Sequence, residues 1–308
     1  MSATGSFSEP PTGASGLDGT LAARLAVGPS HRVLRKVTEY GPRSIVLEGD
    51  RRLINFSSND YLGLSVENGS GDLITQPSSR LLSGNAAAIS EAEDLLADWF
   101  GKEAAVIFST GYMANSGLLS ALLARGDEVY LDRLCHASLY DGARLGEASI
   151  QRFRHLDLNH LEELLQKSSG RGERWVVCES IYSMDGDSPN LRALLDLKHR
   201  WSFRLILDEA HAMGICGPGG RGFAAREGCL EGVDILVMTL SKSFALAGGV
   251  VVGSAALKHF PPACTIPAQA RPRPPPRAAD PLPTARKRDS PPRPAPGRGG
   301  KGPDLRRR

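Results

Sequence analysis

Lys242 is the residue with the clearest potential for chemistry. It lies in the small-residue stretch 239–249, between the apolar runs 233–238 and 250–252, which predicts a turn between two buried strands. A lysine amine becomes a nucleophile when desolvation or a nearby cation lowers its pKa and frees its lone pair. Most isolated turn lysines are simply solvated, so the other motifs of the chain must decide between the two interpretations.

Three further groups of polar residues follow apolar runs in the same way. They are residues 109–112, 179–183 and 208–211, each directly after a predicted strand. Because the carboxyl ends of parallel strands meet at one edge of a sheet, these groups and Lys242 are expected to converge. The turn 109–111 also opens a predicted helix, and free backbone N–H groups at a helix N-terminus favour an anion such as phosphate.

The four groups together fit an aldehyde cofactor that carries a phosphate, as pyridoxal phosphate does. Such a site needs a lysine for the aldehyde, a carboxylate that keeps the pyridine nitrogen protonated, an anion cradle and a flat side chain against the ring. These needs are met, in that order, by Lys242, Asp208, the turn at Gly111 with Thr239, and His136. The alternative is structural, with His136 and His211 as hydrogen-bonded core residues and Asp208 as a helix cap.

Apolar periodicity from residue 89 onward predicts helices and strands in regular alternation. The predicted helices are 89–100, 112–123, 138–145, 158–166 and 191–201. The predicted strands are 104–108, 128–131, 150–153, 175–178, 205–207, 233–240 and 250–252. This order predicts an α/β fold with a mostly parallel sheet, helices on both faces and a ligand site at the carboxyl ends of the strands.

Shifts in composition divide the rest of the chain. Residues 1–19 are predicted to be a disordered lead-in. Residues 20–60 are predicted to be a segment with one helix, or two short ones, at 21–37 and strands at 44–48 and 52–56. The large cofactor-binding domain is predicted over 61–260. Residues 261–308 hold 14 prolines and scarcely a large apolar side chain, which predicts a disordered tail rich in proline and arginine.

Charge separates this tail from the body. The formal net charge of +3 combines +9 in residues 261–308 with −6 in residues 1–260. A basic arm that binds nucleic acid through phosphate contacts would fit such a tail. The tail has no interleaved aromatic residues, so nucleic acid is the less expected partner.

Membranes and metals are not expected partners either. No apolar run approaches the ~20 residues that cross a bilayer, and no basic-then-apolar leader opens the chain, so a cytoplasmic location is expected. Five scattered cysteines without a Cys-x-x-Cys pair suggest neither a disulfide framework nor a metal site.

Seven short runs, in order, carry a resemblance to a known family. They are Asn-Asp-Tyr-Leu-Gly-Leu at 59–64, Ser-Arg-Leu-Leu-Ser-Gly at 79–84, Ser-Thr-Gly-Tyr-Met-Ala-Asn at 109–115, His-Ala-Ser at 136–138, Ser-Met-Asp-Gly-Asp at 183–187, Asp-Glu-Ala-His at 208–211 and Thr-Leu-Ser-Lys at 239–242. From about residue 21 to 259 the chain thereby resembles the α-oxoamine synthases. The resemblance implies a fold-type-I pyridoxal-phosphate-dependent transferase whose large domain has a seven-stranded sheet. Family members form homodimers with the help of a C-terminal small domain, which is expected to be absent here, so weak activity is expected.

The resemblance also implies a role for individual residues. Lys242 would bind the aldehyde covalently, Asp208 would pair with the pyridine nitrogen and His136 would stack on the ring. The other implied cofactor contacts are Gly111, Tyr112, Glu179, Ser183, His211 and Thr239. The implied contacts to substrate are Arg35, Asn59 and His136.

The implied reaction condenses an amino acid with an acyl thioester and releases carbon dioxide. In the branch that the motifs resemble most, the amino acid is L-alanine and the acyl group, carried on CoA or acyl carrier protein, is of pimeloyl type, as in biotin biosynthesis. An α-oxoamine synthase that takes glycine or serine, and a non-catalytic remnant with a basic tail, remain alternatives. Two departures from the family lie near the site: 75–78 replaces a glycine-rich stretch, and Ala245 stands where glycine is common.

Overall fold

A computed structural model describes residues 37–40, 44–47, 51–56, 58–64, 80, 85 and 87–259, all within one compact unit. The predicted lead-in at 1–19, most of the predicted helix at 21–37, Arg35 and the tail at 261–308 lie outside the described residues. In the described ranges no helix is long and apolar enough to cross a membrane.

A small antiparallel sheet opens the described chain. Its strands, in spatial order, are β1 (Val37–Tyr40), β2 (Ser44–Leu47) and β3 (Arg51–Ile54). The predictions of strands at 44–48 and 52–56 are confirmed to within two residues. The predicted helix is wrong at its last residue, since Val37 pairs with Leu47 across β1 and β2. Val, Thr and Tyr in the sequence Val-Thr-Glu-Tyr favour strands, but the helical pattern predicted for the preceding residues was extended over Val37.

Seven strands of the described residues form the main sheet. They are β4 (Ala104–Phe108), β5 (Glu128–Asp132), β6 (Ser149–Phe153), β7 (Arg174–Glu179), β8 (Arg204–Asp208), β9 (Ile235–Thr239) and β10 (Gly249–Gly253). Their order is β4-β10-β9-β8-β7-β5-β6, with β10 antiparallel to both of its neighbours and the other pairs parallel. The predicted mostly parallel α/β fold is therefore confirmed.

Helices cover both faces of this sheet. They are α1 (Ala87–Phe100), α2 (Gly111–Leu122), α3 (Ala137–Leu145), α4 (Leu158–Gln166), α5 (Leu191–Trp201) and α6 (Gly222–Arg226). Strand side chains alternate between two hydrophobic clusters: in β8, Leu205 and Leu207 join the cluster packed by α1, α4, α5 and α6, whereas Ile206 joins the one packed by α2 and α3. Burial on both faces explains why the central strands are continuous apolar runs.

Helices α2 and α3 approach each other closely at Gly142. A Cβ at this glycine would lie 2.9 Å from the carbonyl oxygen of Asn115 and 2.9 Å from the Cα of Ser116. A larger residue would force the helices apart, because no real Cβ contact is that short. The pair of helices is thereby held at a fixed distance beside the ends of β8 and β9.

The loop that carries Lys242 is closed by its own backbone. The N–H of Leu240 donates to the carbonyl of Gly248, and the N–H of Leu246 donates to the carbonyl of Leu240, both at 3.0 Å. Ser243, which is buried, donates its hydroxyl to the carbonyl of Met213 at 2.6 Å and so ties this loop to the segment after β8. Within the loop, Ala245 adopts a φ of +51°, in the left-handed region that favours glycine.

We predict that Ala245→Gly stabilises the fold. The left-handed conformation costs an L-residue roughly 1–2 kcal/mol, while the extra freedom of glycine in the unfolded chain costs roughly 0.5–1 kcal/mol, so the free energy of unfolding should rise by up to about 1 kcal/mol. Urea unfolding measures it. Ala121→Gly, in the exposed face of α2, is the matched control and should lower the same free energy. A loss of stability in both variants would contradict the strain at Ala245.

Candidate active site

A cavity of about 220 Å³ lies at the carboxyl ends of the parallel strands. Eight residues singled out from the sequence line it: Gly111, Tyr112, His136, Glu179, Asp208, His211, Thr239 and Lys242. They come from the ends of β7, β8 and β9 and from the starts of α2 and α3. The four groups of polar residues therefore meet in one cavity, as expected from the parallel strand order.

Two other predicted residues do not line this cavity, and a third lies outside the described residues. Ser183 is exposed in the turn after β7 and does not line the cavity. Asn59 does not line it either, but its Oδ1 accepts a hydrogen bond from Tyr61, which reaches His211. Arg35 lies outside the described residues. The implied roles of these three residues stay predictions.

Lys242 is half-buried in the turn after β9. Its Nζ lies 2.5 Å from Nε2 of His211. Burial lowers the pKa of Lys242, and the nearby carboxyl groups of Asp208 and Glu179 oppose this only in part. A larger share of the lysine is therefore a neutral amine with a free lone pair than for a solvated side chain.

The contact of His211 with Tyr61 explains why His211 accepts a hydrogen bond from the amine of Lys242. The Oη of Tyr61 donates to Oδ1 of Asn59 at 3.2 Å, so it accepts from Nδ1 of His211 at 2.7 Å. With the proton on Nδ1, the Nε2 atom carries the lone pair that faces Lys242. Burial, followed by the charge of Lys242 and then that of His136, lowers the pKa of His211 to about 4, which keeps the ring neutral.

Asp208 lies at the end of β8 and is only 5% exposed. Its Oδ1 accepts from the backbone N–H of Ala210 at 2.9 Å, and its Oδ2 accepts from the Nδ2 of Asn115 at 2.8 Å. The helix-cap alternative for Asp208 is wrong, because residues 210–215 form turns and not a helix, and its other oxygen accepts from the side chain of Asn115. A buried carboxylate with two donors is held in one orientation.

Glu179 is the second buried carboxyl group, at the end of β7 and 4% exposed. It accepts from the backbone N–H of His136 at 2.5 Å. Burial, and then the negative charge of Asp208, raises the pKa of Glu179 to about 8. Near pH 7 the site therefore holds Glu179 protonated.

An anion cradle is formed where α2 begins. Thr110 caps the helix by accepting from the N–H of Met113 at 3.1 Å, and a Cβ at Gly111 would lie 3.0 Å from the Cβ of Thr239. The hydroxyl of Thr239 lies 2.9 Å from that of Ser241. Hydroxyl groups therefore converge on a helix N-terminus, an arrangement that suits a phosphate.

Four functional residues escaped the analysis of the sequence: Tyr61, Asn115, Ser138 and Ser241. Asn115 could have been predicted from the sequence, because it lies four residues after Gly111 in a predicted helix and so shares a helix face with it. Ser138 follows His136 at the start of the next helix, the position of a capping residue. The contact of Tyr61 with His211 joins residues 150 positions apart, and no local pattern shows it.

His155, Asp185 and Asp187 form a separate group beside the site in the described part of the chain. Both ring nitrogens of His155 already bond carboxylates, with Asp132 at 2.9 Å and Asp187 at 3.0 Å. Through these contacts His155 connects the turn after β7 to β5. Neither ring nitrogen is therefore free to bind a metal ion.

We predict that Glu179 makes stability fall as the pH rises from 6.5 to 8. A carboxyl group whose pKa is raised on folding stabilises the fold when protonated, and this contribution is lost as the pH rises through its folded value of about 8. His211, with its lowered pKa, acts below pH 6.5 and does not interfere. Relative to Glu179→Gln, the wild-type chain should lose about 1–2 kcal/mol over this interval in urea unfolding. Parallel pH profiles for the two chains would show that Glu179 does not titrate there.

Comparison with known proteins places this geometry in a family. Residues 51–261 match the aminotransferase class I and II family. The chain is 43% identical over 244 residues to 8-amino-7-oxononanoate synthase of Chlorobaculum parvum, covering 73% of this chain and 62% of that protein. The same enzyme of Acidithiobacillus ferrooxidans is 42% identical over 233 residues, with 72% and 60% covered. The chain thus spans about 60% of the length of these curated relatives.

Solved structures agree with this assignment. A serine palmitoyltransferase variant from S. paucimobilis, with a bound PLP-myriocin aldimine, superposes with a TM-score of 0.70 at 30% identity, covering 80% of this chain and 69% of that one. The resemblance predicted from the seven sequence runs is confirmed. The chain belongs to the aminotransferase class I and II family, in the branch of the α-oxoamine synthases.

Proposed function

We propose that this chain is a pyridoxal-phosphate-dependent acyltransferase that condenses L-alanine with a pimeloyl-type acyl thioester. The products would be an amino ketone, carbon dioxide and the free thiol of CoA or acyl carrier protein. The observation that carries the proposal is that one cavity holds both the partly desolvated amine of Lys242 and the buried carboxyl group of Asp208, which accepts two hydrogen bonds. The relatives named 8-amino-7-oxononanoate synthase support the choice of substrates.

The residues present fit pyridoxal phosphate group by group. The hydroxyls of Thr239 and Ser241 and the start of α2 suit the phosphate, because donors and the positive end of the helix dipole meet there. Asp208, held by two donors, suits a protonated pyridine nitrogen. His136 lines the cavity with its ring, and Lys242 offers the amine for the aldehyde.

When bound, pyridoxal phosphate supplies an electron-withdrawing ring that stabilises negative charge at the α-carbon of an amino acid. Asp208, buried and held by two donors, would keep a proton on the pyridine nitrogen. Lys242 takes the proton from the α-carbon, which requires the neutral amine that burial favours. His211 orients this amine, because its Nε2 accepts one N–H and directs the lone pair elsewhere.

Recognition of the substrate carboxylate is proposed for Arg35 and Asn59, as the family resemblance implies. Asn59 lies near the site through Tyr61, which bonds both Asn59 and His211. A homodimer is proposed for the same reason. A glycine- or serine-using synthase is the second candidate, since the structural relative in the comparison is a serine palmitoyltransferase.

We predict that Lys242→Ala removes covalent cofactor binding. The full 308-residue chain mixed with pyridoxal phosphate should show a visible absorbance band that Lys242→Ala lacks, because this lysine supplies the amine. Lys258→Ala, at an exposed lysine paired with Asp94, is the matched control and should keep the band. If the wild-type chain shows no band, or Lys242→Ala keeps it, the proposed function is wrong.

Turnover decides between the two substrate assignments. L-Alanine, glycine and L-serine are each tested with pimeloyl and palmitoyl thioesters, and released thiol and carbon dioxide are measured. The proposal expects alanine with the pimeloyl thioester to be preferred. Preference for serine or glycine supports the second candidate, and no turnover despite cofactor binding supports a non-catalytic remnant.

We predict that Asp208→Asn binds the cofactor yet exchanges the α-proton of L-alanine about a hundredfold more slowly or worse, as expected when a charge-stabilising group is removed. The amide no longer holds a proton on the pyridine nitrogen, so the ring withdraws electrons poorly. Deuterium wash-in at the α-carbon measures the rate. Asp94→Asn, an exposed change of the same charge on α1, serves as the control. Equal rates in Asp208→Asn and the wild-type chain would exclude the assigned role.

A further inference from the structure

The side chain of Asn115 on α2 is buried, 4% exposed, and contacts Asp208 at the end of β8. Its Nδ2 donates to Oδ2 of Asp208 at 2.8 Å and to Oγ of Ser138 at 3.0 Å. An ionised carboxylate can only accept, so the NH₂ end of the amide must face Asp208. One side chain therefore bonds residues from two different elements, the end of β8 and the start of α3.

The network continues from Ser138 to His136. Ser138 is fully buried, and its Oγ lies 2.7 Å from Nδ1 of His136. Its backbone N–H also donates to Nδ1, at 3.2 Å, where the ring caps α3. A nitrogen that accepts from a backbone N–H carries the lone pair, so the proton of the neutral ring is on Nε2. Since Nδ1 faces buried Ser138, Nε2–H lies on the exposed side of a ring that lines the cavity.

The spacing of the two helices keeps this network at bonding distance. Gly142 allows α3 to lie against the backbone of Asn115 and Ser116, as described above. The amide therefore reaches Ser138 without displacing the helix that carries it. The Oδ1 of Asn115 is buried without a hydrogen-bond partner among the described residues, which indicates that the two donors, and not the acceptor, are the useful part of this side chain.

We propose that Asn115 is a positioning residue that couples Asp208 to His136. By donating to Asp208 it holds the carboxylate where the pyridine nitrogen would lie, and by donating to Ser138 it fixes His136 with Nδ1 as acceptor and Nε2–H as the donor on the cavity side. The inference rests on the proposed function for the part that concerns the cofactor. The orientation of His136 is a property of the chain alone.

The first measurement therefore uses the full chain without cofactor. The chain is labelled with ¹⁵N-histidine, and long-range ¹H–¹⁵N spectra read which ring nitrogen carries the proton, with His136→Gln used to assign the signal. The wild-type chain should show His136 as the Nε2–H tautomer at a pH where the ring is neutral. Ser138→Ala and Asn115→Leu should give a mixture of tautomers. A wild-type ring protonated on Nδ1 would overturn the proposal whether or not the variants fold.

The second measurement adds pyridoxal phosphate. Asn115→Leu keeps the volume of the side chain but removes both donors, so cofactor affinity should fall about tenfold to a hundredfold, the loss expected for a hydrogen bond to a charged group. The pH midpoint of the visible band should shift as well, since Asp208 is left with one donor. Ser138→Ala, which keeps the bond to Asp208, should alter the His136 tautomer with a much smaller change in affinity.

Ser116→Ala is the control, on the same turn of α2, where the hydroxyl donates to the backbone carbonyl of Tyr112. It should change neither the tautomer nor the midpoint. If Asn115→Leu folds and matches Ser116→Ala in both readouts, Asn115 does not position these groups. If the wild-type chain binds no pyridoxal phosphate, the proposed function fails, and the tautomer measurement still decides whether Asn115 and Ser138 orient His136.

Discussion

The buried carboxylate of Asp208 is the constraint on which the rest of the site depends. An ionised group that is 5% exposed is costly to bury unless donors compensate for the lost water, and here the donors come from Ala210 and Asn115. Burial, and then the charge of Asp208, raises the pKa of the neighbouring Glu179 to about 8. The two donors thereby hold the Asp208 carboxyl group in one orientation, in which it would pair with a cationic ring nitrogen.

Close backbone approach then determines what else can reach this charge. Glycine at position 249 allows β10 to pass the start of α2, since a Cβ there would lie 2.6 Å from the Cα of Gly111. The same crossing brings Thr239 beside the helix N-terminus. The loop that follows Thr239 is closed by backbone hydrogen bonds and places Lys242 beside His211. One short segment of chain therefore holds both the Thr239 hydroxyl and the Lys242 amine. The fold therefore supplies Thr239 and Lys242 from consecutive parts of β9 and its loop.

Much of this could be predicted from the sequence, because the central strands and helices have unambiguous periodicity. Strand β4 and helices 158–166 and 191–201 were predicted to the residue, and the eight cavity residues follow strand ends that parallel topology must bring together. Strand β1 was missed because four residues carry little periodic signal. Asn115 and Ser138 were missed because each is an ordinary small polar residue until the packing at Gly142 sets α2 against α3. Ser183 matched a family motif, but the turn after β7 leaves its side chain exposed, and motif position alone does not show where a loop side chain points.

The most direct test of this account is to locate the covalent attachment. The full chain is incubated with pyridoxal phosphate at pH 7.5, reduced with borohydride, digested and mapped by mass spectrometry. The account predicts a pyridoxyl group on Lys242 at near-stoichiometric level, with little on exposed lysines such as Lys258. Among the lysines of the described residues, only Lys242 combines a lowered pKa with Asp208 and Thr239 in the same cavity. Labelling spread evenly over surface lysines, or absent from Lys242, would contradict it.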